Sequence, residues 1–342
     1  MDHEISAEQA HLAESRRQLT RMRERTASMS ALGGDKFSVE YLKYTLYKRM
    51  KALEDDPSVP LFFGRLDYGN HGADKLGADK FDADKFGLPG ERFYIGRRHV
   101  TDEAGDPLVV DWRAPISRPF YRASARQPFG VRLRRRFGFQ HGVVTAYEDE
   151  ALDGTPPQAS ATGTDKPAVA QPPQQPGDVV HSDILEAEIE RPRMGPMRDI
   201  VATIQPEQDD IVRSDLTTSV CVQGAPGTGK TAVGLHRAAF LLYAHRDQLS
   251  RQGVLVVGPN DSFLRYIGDV LPALGEIDAR QTTLTQLVAR VAVKADDRLE
   301  TARVKGDARM AAVIERALWG QLTAASEGLV LPVGARRWRI PA

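Results

Sequence analysis

The stretch DIVATIQPEQDDIVRSDLTTSVCVQGAPGTGKTAVGLHRAAFLLYAHR (Asp199–Arg246) decides how this chain is read. Inside it, Gly224–Thr231 spells GAPGTGKT, which satisfies the phosphate-loop pattern G-x-x-x-x-G-K-[ST]. Thr218–Gln223 just before it is a β-prone apolar run, and Ala232–Tyr243 just after it is rich in helix-forming Ala and Leu. Strand, glycine turn and helix in that order aim consecutive backbone N–H groups and a helix N-terminus at a polyphosphate.

Each residue type in the loop has a physical reason. The cradle predicted here runs through Gly224, Ala225, Pro226, Gly227, Thr228, Gly229, Lys230 and Thr231. Gly227 and Gly229 let the backbone fold closely round phosphates where a Cβ would intrude. Pro226 has no N–H, so the donors must come from the residues that follow it. Lys230 supplies a point charge to the β- and γ-phosphates, and the Thr231 hydroxyl is the expected Mg²⁺ ligand. ATP with Mg²⁺ is the expected cofactor, and Lys230 and Thr231 are the candidate catalytic residues. The competing reading is an ordinary glycine-rich strand-to-helix turn.

The flanks address which class of phosphate loop this is. Gln208, in IQPEQDDIV, lies upstream, where a side-chain amide can read adenine through its paired donor and acceptor. Its bland reading is a solvated glutamine near a helix start. Downstream, a second strand is predicted at Val254–Val257, ending in Gly258-Pro259-Asn260. The upstream glutamine, the loop and the His236-Arg237-x-Ala239 helix resemble superfamily 1 helicases of the UvrD/Rep type. The Pro-Asn strand end resembles the motif Ia of those enzymes, which touches the nucleic-acid backbone. The chain departs from them at Ala232, where they usually carry Arg.

Composition bounds the possibilities. With 342 residues the chain is long enough for two or more domains. A hydrophobic content of 41% and charged content of 27% are ordinary for a folded protein in water. The 46 basic and 46 acidic residues cancel, so any nucleic-acid contact has to be local. Cys221 is the one cysteine, which excludes an internal disulfide and fits a reducing cytoplasm; its strand reads as buried. The charged N-terminus has no apolar core of a signal peptide, and no run approaches a membrane span.

Taken in order, residues 5–29 predict a polar helix with a thin stripe of Ile5, Leu12, Leu19 and Thr26, joined by Met22 and Met29. A turn at Ala31–Asp35 leads to a second helix, residues 39–53, with Val39, Leu42, Leu46, Met50 and Leu53 on one face. The pair predicts an antiparallel hairpin, either packed on its own domain or projecting as a coiled coil that probes a partner. Tyr41, Tyr44 and Tyr47 form a second stripe, read as packing rather than as a stacking platform. After Leu61–Gly69 come GADKL, GADKF and DADKF at residues 72–86, a period of five that suits neither helix nor strand. Asp82-x-Asp84 opens like a calcium loop, but Phe86 and Phe93 occupy ligand positions, which excludes it.

A β-rich block follows: RFYIG (Arg92–Gly96), PLVVDW (Pro107–Trp112), PFYRA (Pro119–Ala123), VRLRRRF (Val131–Phe137) and VVTAY (Val143–Tyr147). It predicts a small antiparallel sheet or partial barrel. Alternation puts Arg132, Arg134 and Arg136 on one face, either to meet phosphates or an acidic surface or to keep a solvated edge strand from aggregating. Residues 151–180 hold six prolines and read as an extended linker. Ser182-Asp183 then caps a helix over residues 184–191. Beyond Asn260, residues 262–276 predict an amphipathic helix. A second is predicted over residues 307–322, with Ile314 and Leu318 buried.

YIGRRHV (Tyr94–Val100), GDPLVVDWRAPISRPFYRA (Gly105–Ala123) and MRDIVATIQPEQDDIVR (Met197–Arg213) resemble the HelD family. These are superfamily 1 helicase-like ATPases that bind bacterial RNA polymerase and release it from stalled or post-termination complexes, with similar actinobacterial members that protect against rifampicin. The resemblance implies that the N-terminal hairpin enters the polymerase secondary channel. The Ala-Asp-Lys repeat stands outside the family pattern and reads as an insertion.

The expected architecture is therefore multidomain, α+β and α/β. It comprises a helical hairpin or coiled coil (1–60), a small antiparallel β domain with the low-complexity insertion (61–150), the linker (151–180) and the first part of a RecA-like P-loop domain (181–342). No apolar strand ending in Asp-Glu follows the loop, so a Walker B carboxylate is not found, nor are the arginines of a second RecA-like domain. The chain then reads as the N-terminal part of a longer cytoplasmic protein, expected to bind nucleotide weakly alone and to hydrolyse it negligibly. The expected partners are RNA polymerase and DNA, with no membrane. The alternatives are a polymerase-binding module without motor activity, a UvrD-like helicase that unwinds DNA, and, disfavoured by Gln208 and the long N-terminal extension, a P-loop small-molecule kinase.

Overall fold

The computed structural model describes residues 3–29, 36–69, 90–153, 182–190, 197, 199–276, 279–289, 294–322, 328–333 and 336–340. The turn at residues 31–35, the repeat at 72–86 and nearly all of the Pro-rich segment lie outside them. Contacts divide the chain into two units, Met1–Leu287 and Val288–Ala342.

The first unit is organised round β1 (Phe62–Tyr68), six of whose seven residues are buried. The other strands are β2 (Arg92–Gly96), β3 (Val100–Thr101), β4 (Pro107–Asp111), β5 (Val131–Gln140) and β6 (Val143–Ala151). They form one six-stranded sheet in the order β3-β4-β2-β1-β5-β6. Every neighbouring pair is antiparallel except β2 and β4, which run parallel. The expected all-antiparallel sheet or partial barrel is thus corrected to an open mixed sheet. A parallel pair needs a crossover, and β3 with the turn after it provides one by passing the chain to the far side of β2.

Side chains alternate across this sheet as strand geometry requires. Phe62, Val109, Phe137 and Val144 pack with Leu12 and Leu19 of α1 (His3–Ser28) on one face. Phe63, Val110 and Phe120 lie on the other, in a core continuous with Ile200, Val212, Val233, Leu235 and Leu271. The thin stripe of α1 is therefore spent on the sheet. In α2 (Lys36–Ala52), Val39, Leu42, Leu46 and Met50 are half-buried as their spacing predicts. Tyr41, Tyr44 and Tyr47 do not pack: they are 63%, 52% and 58% exposed.

PFYRA, expected as a strand, lies in the short helix α3 (Arg118–Arg122) and its C-cap. Pro119 sits in its first turn, where a missing N–H costs nothing. The Phe120 ring fills the space over Gly64: a Cβ there would lie 2.0 Å from Phe120 Cε2. Of the arginine stripe of β5, Arg132 is exposed, 3.5 Å from Asp67, while the other two are withdrawn from solvent. Arg134 and Arg136 both reach Glu150 of β6, at 2.6 and 3.1 Å, and Arg134 also donates to the Phe120 carbonyl at 2.9 Å. Strand β5 lies between β1 and β6, so its cations are matched by neighbouring carboxylates.

After α4 (Asp183–Glu190), where Ser182 Oγ accepts from Leu185 N as the capping pattern predicts, come α5 (Pro206–Val212), α6 (Lys230–Ala244) and α7 (Arg246–Gln252). Strand β7 (Val254–Gly258) pairs in parallel with β8 (Ala279–Thr283). The single helix expected over 262–276 is two, α8 (Asp261–Ile267) and α9 (Val270–Ala273), separated at Gly268-Asp269; α10 (Leu284–Val288) follows β8.

The second unit holds α11 (Leu299–Lys305), α12 (Arg309–Trp319) and the hairpin of β9 (Leu329–Val333) and β10 (Arg336–Ile340). Ile314 and Leu318, expected to be buried, are 63% and 61% exposed. The amphipathic stripe of α12 exists, but nothing among the described residues covers it.

Candidate nucleotide-binding site

The loop enters helix α6 as its motif demands. Gly229 is the N-cap with φ 81°, Gly227 has φ 83°, and the helix begins at Lys230. Only glycine adopts such values at little cost. A Cβ on Gly224 would lie 2.8 Å from Thr228 Oγ1, so the first glycine is required by close approach rather than by its dihedral angle. Around Gly227 a Cβ would meet nothing within 4 Å, so that side of the turn faces open space. Thr228 Oγ1 donates to the Ala225 carbonyl at 2.8 Å and tightens the turn.

Lys230 Nζ is folded back on the loop, donating to the carbonyls of Gly224 (2.9 Å) and Ala225 (2.6 Å). Pro226 stands between Ala225 and Gly227 in the exposed rim, and Thr231 occupies the first turn of α6, half-buried. Gln208 comes to the same place from α5. Its Oε1 accepts from Gln205 N at 3.1 Å, and its Nε2 lies 3.5 Å from where a Gly229 Cβ would stand. Gln208 thus closes the capping box that starts α5, as the helix-start reading has it, but its amide nitrogen lies beside the loop and the side chain is half-buried.

The strand half of the motif is different. Thr218–Gln223 is not a strand: it has no ladder partner among the described residues, Val220 is 39% exposed, and Cys221 is exposed rather than buried. A β-prone run becomes a strand only beside another strand, and β7 pairs with β8 instead. The segment leading to it is held by α6. Arg237 donates to the carbonyls of Ile211, Ser214, Asp215 and Thr218, at 3.1, 2.5, 2.8 and 3.2 Å. The sequence marks Arg237 only as part of a helix pattern; five donors in a planar fork suit it to lacing carbonyls.

Behind the loop, His236 is fully buried. Its Nε2 accepts from Ile200 N at 3.0 Å, and Nδ1 lies 2.7 Å from the Ala232 carbonyl, which makes it a neutral ring protonated on Nδ1. Burial lowers its pKa, opposed by the charge of Asp199. Asp209, next to Gln208, is also buried. Burial raises its carboxyl, while Arg213 opposes the rise and bonds Oδ1 at 2.7 Å. Arg213 also donates to the Trp112 and Arg113 carbonyls at 2.7 and 3.1 Å, tying α5 to β4.

The three sequence blocks meet in space. Arg97 pairs with Asp199 at 3.0 Å, Tyr121 Oη donates to the Val201 carbonyl at 2.9 Å, and Arg113 binds both Asp111 (2.7 Å) and Glu276 (2.5 Å). Their side chains link the sheet to the loop-bearing helices. Asn260, the expected nucleic-acid contact, uses Oδ1 to cap α8 from Phe263 N at 2.8 Å. Among the described residues no cluster of His, Cys, Asp or Glu is placed to hold a metal, and no helix is long and apolar enough to cross a membrane.

Residues 5–164 match the family model of DNA helicase IV HelD, N-terminal domain. The N-terminal portion of this chain belongs to the HelD family. The matched HelD stretch takes in α1, α2 and the six-stranded sheet, and it ends before Gln208 and the glycine loop. HelD is by this description a helicase family, which accords with a helicase-like ATPase. No curated protein gave a match.

Proposed function

We propose that this chain is the nucleotide-binding N-terminal part of a HelD-like superfamily 1 ATPase that binds bacterial RNA polymerase and recycles it. The observation that supports the nucleotide reading is the meeting of Gln208 with the glycine loop: a side-chain amide from α5 lies beside the glycine turn that opens α6. The open space beside Gly227 leaves room for a phosphate, and the N-terminus of α6 that follows the loop would favour one. Lys230 must leave the Gly224 and Ala225 carbonyls to reach a β- or γ-phosphate, exchanging two neutral acceptors for charged ones. Mg²⁺ would be held by the Thr231 hydroxyl together with phosphate oxygens, and would neutralise charge on the transferring group. Polymerase contact is assigned to the α1–α2 hairpin and the sheet, and DNA contact to Pro259-Asn260.

Binding of a fluorescent ATP analogue to the purified chain tests the site. Lys230→Ala should weaken it about tenfold or more, since a charge-assisted phosphate contact contributes roughly 1.5–3 kcal/mol, and Gln208→Ala should weaken it less, by the roughly 0.5–1.5 kcal/mol of a neutral hydrogen bond. Unchanged binding in Lys230→Ala would remove the nucleotide reading. A second reading, a polymerase-binding module that works without nucleotide, is favoured by the self-satisfied position of Lys230. It predicts that polymerase capture and release both survive Lys230→Ala.

A further inference from the structure

The amide of Gln208 and the glycine loop reach the candidate site on separate stretches of chain. Between the end of α5 at Val212 and the start of α6 at Lys230 the backbone forms neither helix nor strand. No ladder therefore fixes how far the amide stands from the loop. One side chain spans the gap. Arg237 projects from α6 about two turns beyond Lys230. Its Nη1 donates to the carbonyls of Ile211 (3.1 Å) and Ser214 (2.5 Å) and to Ser214 Oγ (2.5 Å). Its Nη2 donates to the carbonyls of Asp215 (2.8 Å) and Thr218 (3.2 Å). Ile211 lies in the last turn of α5, where the unpaired carbonyls carry the negative end of the helix and favour a cation.

The guanidinium thus ties the helix that bears Gln208 to the helix that opens with Lys230. Val212 and Val233 share an apolar core, but hydrophobic burial has no direction. A planar fork with fixed donors does. From this we infer that Arg237 is a positioning residue, which sets the distance between the Gln208 amide and the phosphate-binding turn; the inference rests on the nucleotide reading of the loop. ATP would touch both ends at once, so part of its affinity depends on their being held at the right separation beforehand. A bare triphosphate would touch only the loop. Lysine at this position would keep the charge but offer one nitrogen in place of the fork.

Calorimetric titration of the full chain with ATP and with tripolyphosphate, both in Mg²⁺ buffer, tests this on the native chain and on Arg237→Lys. ATP binding should weaken about two- to tenfold, the size of one neutral hydrogen bond, while tripolyphosphate binding should not move. Adding Gln208→Ala to Arg237→Lys should cost nothing further, although Gln208→Ala alone weakens ATP binding. Lys230→Ala should weaken both ligands. Equal loss of ATP and tripolyphosphate binding in Arg237→Lys would make the residue merely structural. Loss of neither would leave it without a role in binding, and an additive double variant would show that it does not act through Gln208. Each of these overturns the inference and leaves the nucleotide reading in place. A native chain that binds neither ligand overturns both. If Arg237→Lys does not fold, hydrogen exchange on the native chain decides. ATP should slow exchange across residues 206–218 as well as 224–231, and tripolyphosphate only across 224–231. The same protection from both ligands overturns the inference.

Discussion

Arg97 and Asp199, far apart in sequence, form a nearly buried ion pair, with Arg97 Nε 3.2 and 3.0 Å from the two carboxylate oxygens of Asp199. Arg97 follows β2 directly and Asp199 opens the segment that leads to Gln208, so this pair joins the sheet to the approach of the glycine loop.

Removing one partner should cost more than removing both. Asp199→Ala leaves Arg97 uncompensated and should lose about 3–5 kcal/mol in urea unfolding, whereas Arg97→Met with Asp199→Leu should recover most of it. Burial raises the Asp199 carboxyl, but the charge and hydrogen bonds of Arg97 outweigh it, and the net shift is downward. The pair's contribution is then complete above the unfolded carboxyl value of about 3.9 and is lost as pH falls through the lower folded value.

His236 should produce a second, milder acid sensitivity. Its pKa is lowered by burial, so as pH drops below about 6.5 the unfolded chain takes up the proton before the folded one. Stability is full above that value and declines as pH falls toward the folded value. His11, whose pKa burial also lowers, acts in the same sense. Melting temperatures between pH 8 and pH 5.5 should fall for the native chain and fall less steeply for His236→Gln, which starts less stable. Parallel slopes would show that this ring is not the source.

Gly229→Ala should weaken the loop without harming the sheet. A Cβ at φ 81° carries a strain of roughly 1–2 kcal/mol, while its 3.5 Å approach to Gln208 Nε2 is ordinary contact. Urea unfolding should register that loss, and ATP-analogue binding should fall more than stability does.

Glu8→Ala should loosen α1. Its carboxylate is 3% exposed and accepts from Arg65 (2.5 Å), Arg135 (2.9 Å) and Tyr94 Oη (2.8 Å). The Tyr94 hydroxyl is pushed up to about 12, by burial first and then by the Glu8 charge. Two buried guanidinium groups would lose a shared partner, with a cost of about 3–5 kcal/mol. Hydrogen exchange in α1 should accelerate before that in β1. Uniform acceleration would mean that the helix does not open separately.

What the sequence made legible were features with a local cause. RFYIG is strand β2 over its predicted bounds, Ser182 caps α4, and α6 starts at the motif lysine, because alternation, capping and glycine turns are decided within a few residues. The position of Gln208 beside Gly229 followed from its place in a longer pattern. Features decided by a distant partner were missed. LFFGRLDYG carries no alternation because both faces of β1 are covered, so the central strand has no signature of its own. Arg134 and Arg136 read as part of a surface stripe with the exposed Arg132, since their partner Glu150 is remote in sequence. Thr218–Gln223 has the composition of a strand without a neighbour to pair with.

The carboxylate of Glu8 fastens one turn of α1 to side chains from β1, β5 and β2 together. Losing that one carboxylate would therefore leave polar groups of three strands without their shared acceptor at once. One of those strands, β2, runs directly into Arg97, the partner of Asp199.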